Sequence, residues 1–145
     1  MGHKAPARLH DEGVNLQNTI AEITNDNPFI QMFMPAFERC LQISHRSMAE
    51  TNGLITTLAV LRYKADMGDY PQKLDGLVSN GYIKELPIDP FSDKPLSYKR
   101  VDGDFTLYSF AYDLDDDNGK HEHKWAEDGD GDYVFWSVQK TEQMD

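Results

Sequence analysis

Between Ala36 and Asp66 the chain runs for thirty-one residues with no proline and one glycine, and its apolar side chains return at helical spacing. Phe37, Leu41, Met48, Ile55 and Arg62 lie along one slowly drifting stripe. Leu54, Leu58, Leu61 and Ala65 broaden it with a second row. The spacing predicts one long helix whose stripe feeds the core. Gly53 is its weak spot, at a cost of about 1 kcal/mol against Ala. Gly68 is a natural stop, and Pro71 bars a restart nearby. Upstream, Asn27-Pro28 is a good helix start, and Pro35 is expected to kink or restart the helix.

The remainder of the chain has a different grammar. Leu74–Asn80 reads as a short helix ended by Gly81, and Pro87-Ile88-Asp89-Pro90-Phe91 as a rigid extended connector. Leu96–Val101 and Asp104–Phe110 flank Asp102-Gly103, a strong hairpin signal. Leu96 and Tyr98 should share one face of the first strand, and Phe105 and Leu107 one face of the second. Tyr133–Val138, β-branched and aromatic, reads as a third strand. The fold class expected is α+β, with one long helix packed on a three-stranded antiparallel sheet and a long acidic metal-binding loop at its edge. Residues 1–35 are expected to form a tail and a short helix (Val14–Ile23), a possible remnant of a larger protein, and residues 36–145 the domain.

Charge singles out that loop. The chain has 145 residues and a formal net charge of −11. Between Asp102 and Asp132 eleven acidic residues face two lysines. So acidic a chain is a poor ligand for nucleic acid or anionic membrane, which leaves cations and proteins as partners. The most apolar run, Gly53 to Leu61, is about nine residues against the ~20 that span a bilayer. Cys40, the only cysteine, excludes an intramolecular disulfide and a multi-Cys zinc site, and reads as a small hydrophobe.

The loop between the second and third strands is about twenty residues, a length that usually signals an organising function. Asp113, Asp115 and Asp117 alternate before Asn118-Gly119, and Asp128, Asp130 and Asp132 alternate again further on. Hard oxygen ligands at that density suit Ca2+, and a divalent ion would relieve their mutual repulsion. The pattern is not an EF-hand: counted from Asp113, Asn118 stands where glycine is needed and Lys124 where glutamate is. A solvated loop with no metal is the plain alternative. His121 and His123, with nearby aspartates, suit Zn2+, Ni2+ or Cu2+, and two exposed histidines with no metal are the plain alternative. Nothing resembles a nucleotide loop or a Ser-His-Asp arrangement, and clustered loop aspartates lack the fixed separation a glycosidase needs.

Three stretches, in order, resemble a known family. Leu61–Pro71, with Tyr63-Lys64, Gly68 and Tyr70-Pro71, resembles the exit of the long pseudopilin helix. Leu77–Phe91, with Leu86-Pro87-Ile88-Asp89-Pro90, resembles the segment that follows it. Gly103-Asp104-Phe105-Thr106-Leu107-Tyr108-Ser109 resembles the next strand. Together they cover about residues 54–138 and resemble the globular domain of the type II secretion major pseudopilin (general secretion pathway protein G). The resemblance implies a structural, non-enzymatic subunit, extracytoplasmic in the periplasm or envelope. It would partner other pseudopilin-like subunits or envelope proteins through its long helix. It also implies Ca2+ in the carboxy-terminal loop, which maps onto Asp113, Asp130 and Asp132, with Asp115 and Asp117 added from local spacing. The rival readings are a non-filament interaction domain of a larger envelope protein and a metal-dependent hydrolase.

Overall fold

A computed structural model describes residues 28–101, 103–111, 114–120 and 131–136. Val14–Ile23 and the carboxy-terminal end of the expected third strand lie outside them. Helix α1 (Pro28–Met67) is followed by a short α2 (Asp75–Ser79) and three strands, β1 (Ser97–Val101), β2 (Asp104–Ser109) and β3 (Tyr133–Trp136). The sheet is antiparallel in the order β1-β2-β3. The α+β class, the single long helix and the three-stranded sheet agree with the sequence.

Pro35 does not restart the helix: α1 is continuous through it. The turn before it is exposed, so the carbonyl that a proline cannot serve lies within reach of water. The helix ends where expected. Gly68 takes φ +82°, and its N–H bonds Lys64 O at 2.8 Å.

The inward face of α1 differs from the expected stripe. Phe37, Leu41, Met48 and Ile55 are 43–63% exposed, and Leu54 and Leu58 are exposed as well. Small side chains face the sheet instead: Ala49, Thr56, Thr57, Ala59 and Val60 are buried. The Thr56 hydroxyl donates to Asn52 O at 2.8 Å, so its burial leaves no orphan. The reason lies in the strands, which bring the bulk. Leu107 pairs with Trp136 and Tyr108 with Val134, leaving Phe135 as the extra residue of a β-bulge. Its ring lies on Gly53, where a Cβ would stand 2.7 Å from Phe135 Cε1. Gly53 is thus less a weak spot than the place where the sheet reaches the helix backbone.

On that inner side the core gathers Val60, Leu74, Leu77, Leu96, Phe105 and Leu107. Trp136 stacks on Phe105 with centroids 5.2 Å apart, and Tyr70 packs on the same ring at 5.0 Å. The helix exit is fastened to β1 by polar bonds. Tyr98 Oη donates to Pro71 O at 2.7 Å, and Arg100 Nη2 to Asp69 Oδ2 at 2.5 Å. Burial pushes the Tyr98 phenol up to about 12.

Candidate functional site

Alternation along a strand sends neighbours to opposite faces. Phe105 and Leu107 point to the core, so Thr106 and Tyr108, with their β1 partners Lys99 and Ser97, point away from it. Yet Tyr108 is fully buried. The acidic loop covers it.

Residues 114–120 fold onto this outer face through backbone shapes that the sequence permits only locally. Asn118 and Gly119 have φ +63° and +76°, and Lys120 N bonds Asp117 O at 3.3 Å. An Asn-Gly pair with both residues left-handed is the signature of a type I′ turn. A Cβ on Gly119 would meet Thr106 Cγ2 at 2.7 Å and Tyr108 Cδ1 at 3.2 Å, so the turn lies against the sheet.

Asp116 holds it there. Its Oδ1 accepts from Tyr108 Oη at 2.8 Å and from Asn118 N at 2.9 Å. Lys99 Nζ is 3.7 Å from the same oxygen and donates to Asn118 Oδ1 at 2.7 Å. Burial works to raise the Asp116 carboxyl, but the hydrogen bonds from Tyr108 and Asn118 and the charge of Lys99 outweigh it and hold it below the usual range. Burial, reinforced by Asp116, holds the Tyr108 phenol far above its ordinary value. Asp132, 1% exposed, fastens the other side. Its Oδ2 accepts from Gly119 N at 2.7 Å, and its own N–H bonds Lys120 O at 3.0 Å.

Of the five aspartates expected to hold a metal, Asp113 and Asp130 lie outside the described residues, as do His121 and His123. Asp115 is exposed. Asp117 is half-buried, and its Oδ2 is shut from solvent and makes no hydrogen bond. The structure brings Asp117 and Asp132 to the two ends of one short hydrogen-bonded path through Gly119 and Lys120. No group of three or more His, Cys, Asp or Glu side chains is placed to hold an ion among the described residues.

Two residues with clear structural work escaped sequence reasoning. Asp116 was hidden by the alternating pattern, which selects its neighbours on either side. Asp89 was read only as part of a rigid connector. It is 2% exposed. Its Oδ1 accepts from Phe91 N at 3.2 Å, and its Oδ2 from Ser92 Oγ at 3.0 Å and Ser109 Oγ at 2.9 Å. Burial outweighs these bonds and raises its carboxyl above the ordinary range. The readable signal was Asp-Pro-x-Ser, an Asx-turn pattern.

Comparison of the chain with protein-family models, curated proteins and solved structures gives no match. Several residues of the stretches read in the sequence have defined positions here. Gly68 caps α1, Tyr70 and Pro71 are buried at its exit, Asp89 joins the connector to Ser109, and Tyr108 lies beneath the loop.

Proposed function

We propose that this chain is a structural module of the pseudopilin kind, part of a type II secretion or related cell-envelope system outside the cytoplasm. Its acidic loop is stabilised by Ca2+, and its partners, pseudopilin-like subunits or other envelope proteins, approach along α1. The observation that carries the reading is the buried Oδ2 of Asp117, which makes no hydrogen bond in a loop crowded with carboxylates. A buried charged oxygen without a donor is costly, and a cation removes that cost.

The donor set fits a hard ion: carboxylate and carbonyl oxygens with no sulfur. Asp117 and Asp132 would hold it, with Asp113, Asp115 and Asp130 supplying further carboxylates from the same loop. The ion would supply charge neutralisation and order, and no chemistry on a substrate is assigned to it. The exposed large apolar side chains on α1 support an assembling role, because a helix face of that kind is expensive to leave in water.

Calorimetric titration of the chelator-treated chain with Ca2+, Mg2+ and Zn2+ tests the reading. A saturable Ca2+ isotherm, weakened at least tenfold by Asp117→Asn or Asp132→Asn, is expected. Binding of Zn2+ alone would move the site to His121 and His123, and no heat with any ion would overturn it.

A further inference from the structure

The chain contains three Asn-Gly pairs, Asn52-Gly53, Asn80-Gly81 and Asn118-Gly119. Each carries the same latent reaction: the glycine nitrogen can close on the asparagine side-chain carbonyl, and with no Cβ on glycine little hinders the approach. The fold restrains the three differently. Gly53 lies in the middle of α1, with its N–H in the helical ladder, and Asn52 Nδ2 donates to Ile88 O at 2.7 Å. Gly81 N bonds Val78 O at 3.0 Å and Asn80 Nδ2 bonds Gly76 O at 2.7 Å, both local to the end of α2. Gly119 N is held instead by a side chain thirteen residues away, Asp132 Oδ2, at 2.7 Å. Asn118 is itself exposed, and its Oδ1 accepts from Lys99 Nζ at 2.7 Å.

We propose that Asn118 is a site of spontaneous deamidation whose reactivity is set by the bond from Gly119 N to Asp132. While the loop is closed, a carboxylate engages the Gly119 N–H, and its charge repels the hydroxide that would remove that proton. The left-handed pair is also held against Thr106 and Tyr108. When the loop opens, Gly119 N bonds to Asn118 Cγ, the Cγ–Nδ2 bond breaks, and Nδ2 leaves as ammonia with the Gly119 proton. Water then opens the succinimide on either side, to aspartate or isoaspartate. No oxidant or cofactor takes part. Either product adds a negative charge to the loop. Isoaspartate also lengthens the backbone by a methylene at the turn, where even a Cβ on Gly119 would stand 2.7 Å from Thr106 Cγ2. The turn then no longer fits the sheet, and Tyr108 loses its cover. A passing opening of the loop is converted into a permanent one.

The proposal is independent of the loop's cation and is tested in chelator. Peptide mass spectrometry of the full chain, aged at neutral pH, follows all three asparagines at once. Asn118 should deamidate at least about tenfold more slowly in the folded wild type than in the chain unfolded by urea. Asp132→Ala should raise its rate about tenfold while Asn52 and Asn80 keep their wild-type rates. Asn52, on the core helix, reports whether the variant remains folded. In the wild type, urea below the unfolding transition should raise Asn118 ahead of Asn52, a comparison that needs no variant. Equal rates at Asn118 in the folded and unfolded chains would overturn the proposal, as would a rate that rises only in step with Asn52. A slower Asn118 in Asp132→Ala would also overturn it, making the carboxylate the base that starts the reaction.

Discussion

The two faces of the sheet are covered in opposite ways. On the inner face, α1 offers Ala49, Gly53, Thr56 and Val60, and the strands fill the space with Phe105, Leu107, Phe135 and Trp136. Charge enters that packing at its margin, where Trp136 Nε1 donates to Asp104 Oδ1 at 3.0 Å and Lys64 Nζ lies 4.0 Å from the Tyr70 ring centre. On the outer face a single large side chain, Tyr108, is roofed by a loop held by Asp116, Asp132 and Lys99. Apolar packing is indifferent to pH and salt at first order, whereas a cover made of carboxylates depends on both. One small domain therefore contains a half that is stable by shape and a half that is conditional on charge.

The largest expected effect breaks the first half. Gly53→Leu forces the Phe135 ring off the helix and should cost about 3 kcal/mol in urea denaturation. Even Gly53→Ala should destabilise, although Ala in an exposed helix interior gains about 1 kcal/mol over Gly. A stabilised Gly53→Ala would mean that the sheet does not rest on the helix backbone.

Asp89 lies between the halves, buried like the core but ionisable like the loop. Asp89→Ala strands the hydroxyls of Ser92 and Ser109 and the Phe91 N–H, and should cost about 2–3 kcal/mol. Its raised carboxyl sets the sign of the pH effect. A folded-state pKa above the unfolded value makes its contribution fully present below about pH 3.9, and lost as pH rises through the folded value. Against Asp89→Asn, the wild type should therefore lose relative stability as pH rises through that window. A difference that does not change with pH would remove Asp89 as the source.

The outer cover should respond less to mutation and more to conditions. Asp132→Ala removes the acceptor of Gly119 N and should cost about 1–2 kcal/mol, with amide exchange quickening at Gly119 and Lys120 and not at Phe105. Asp116→Asn should cost less than about 1 kcal/mol, because that carboxylate is half exposed. Its pH sign is the reverse of Asp89. The depressed carboxyl stabilises above the ordinary carboxylate pKa, and the benefit disappears as pH falls through the lower folded value. Equal exchange on both faces in Asp132→Ala would erase the contrast between them.

Much of this architecture was legible because it is written in local chemistry. Asp102-Gly103 predicted the hairpin, Gly68 the helix stop, and the pairing of Phe105 with Leu107 the inner face of β2. The inward face of α1 was not legible, for a physical reason. Hydropathy weights large side chains, whereas this helix turns Gly53 and Ala49 inward because the bulk arrives from a bulged strand remote in sequence. Phe37, Leu41, Met48 and Ile55 satisfied the helical period while facing away from the core. The loop was found by its charge, but its anchor was not. Counting alternating aspartates selects Asp115 and Asp117 and passes over Asp116, whose role depends on Tyr108 and Lys99 arriving from two strands.

The central claim is that a cation completes the conditional half. Thermal unfolding of the full chain in chelator, then in millimolar Ca2+, tests it most directly. A ligand at about 100 times its Kd stabilises by about 2.7 kcal/mol, several degrees in a domain of this size. The account predicts such a rise with Ca2+ in the wild type and its loss in Asp117→Asn. A midpoint that is the same with and without Ca2+ would contradict it, leaving the loop a cover held by its own hydrogen bonds.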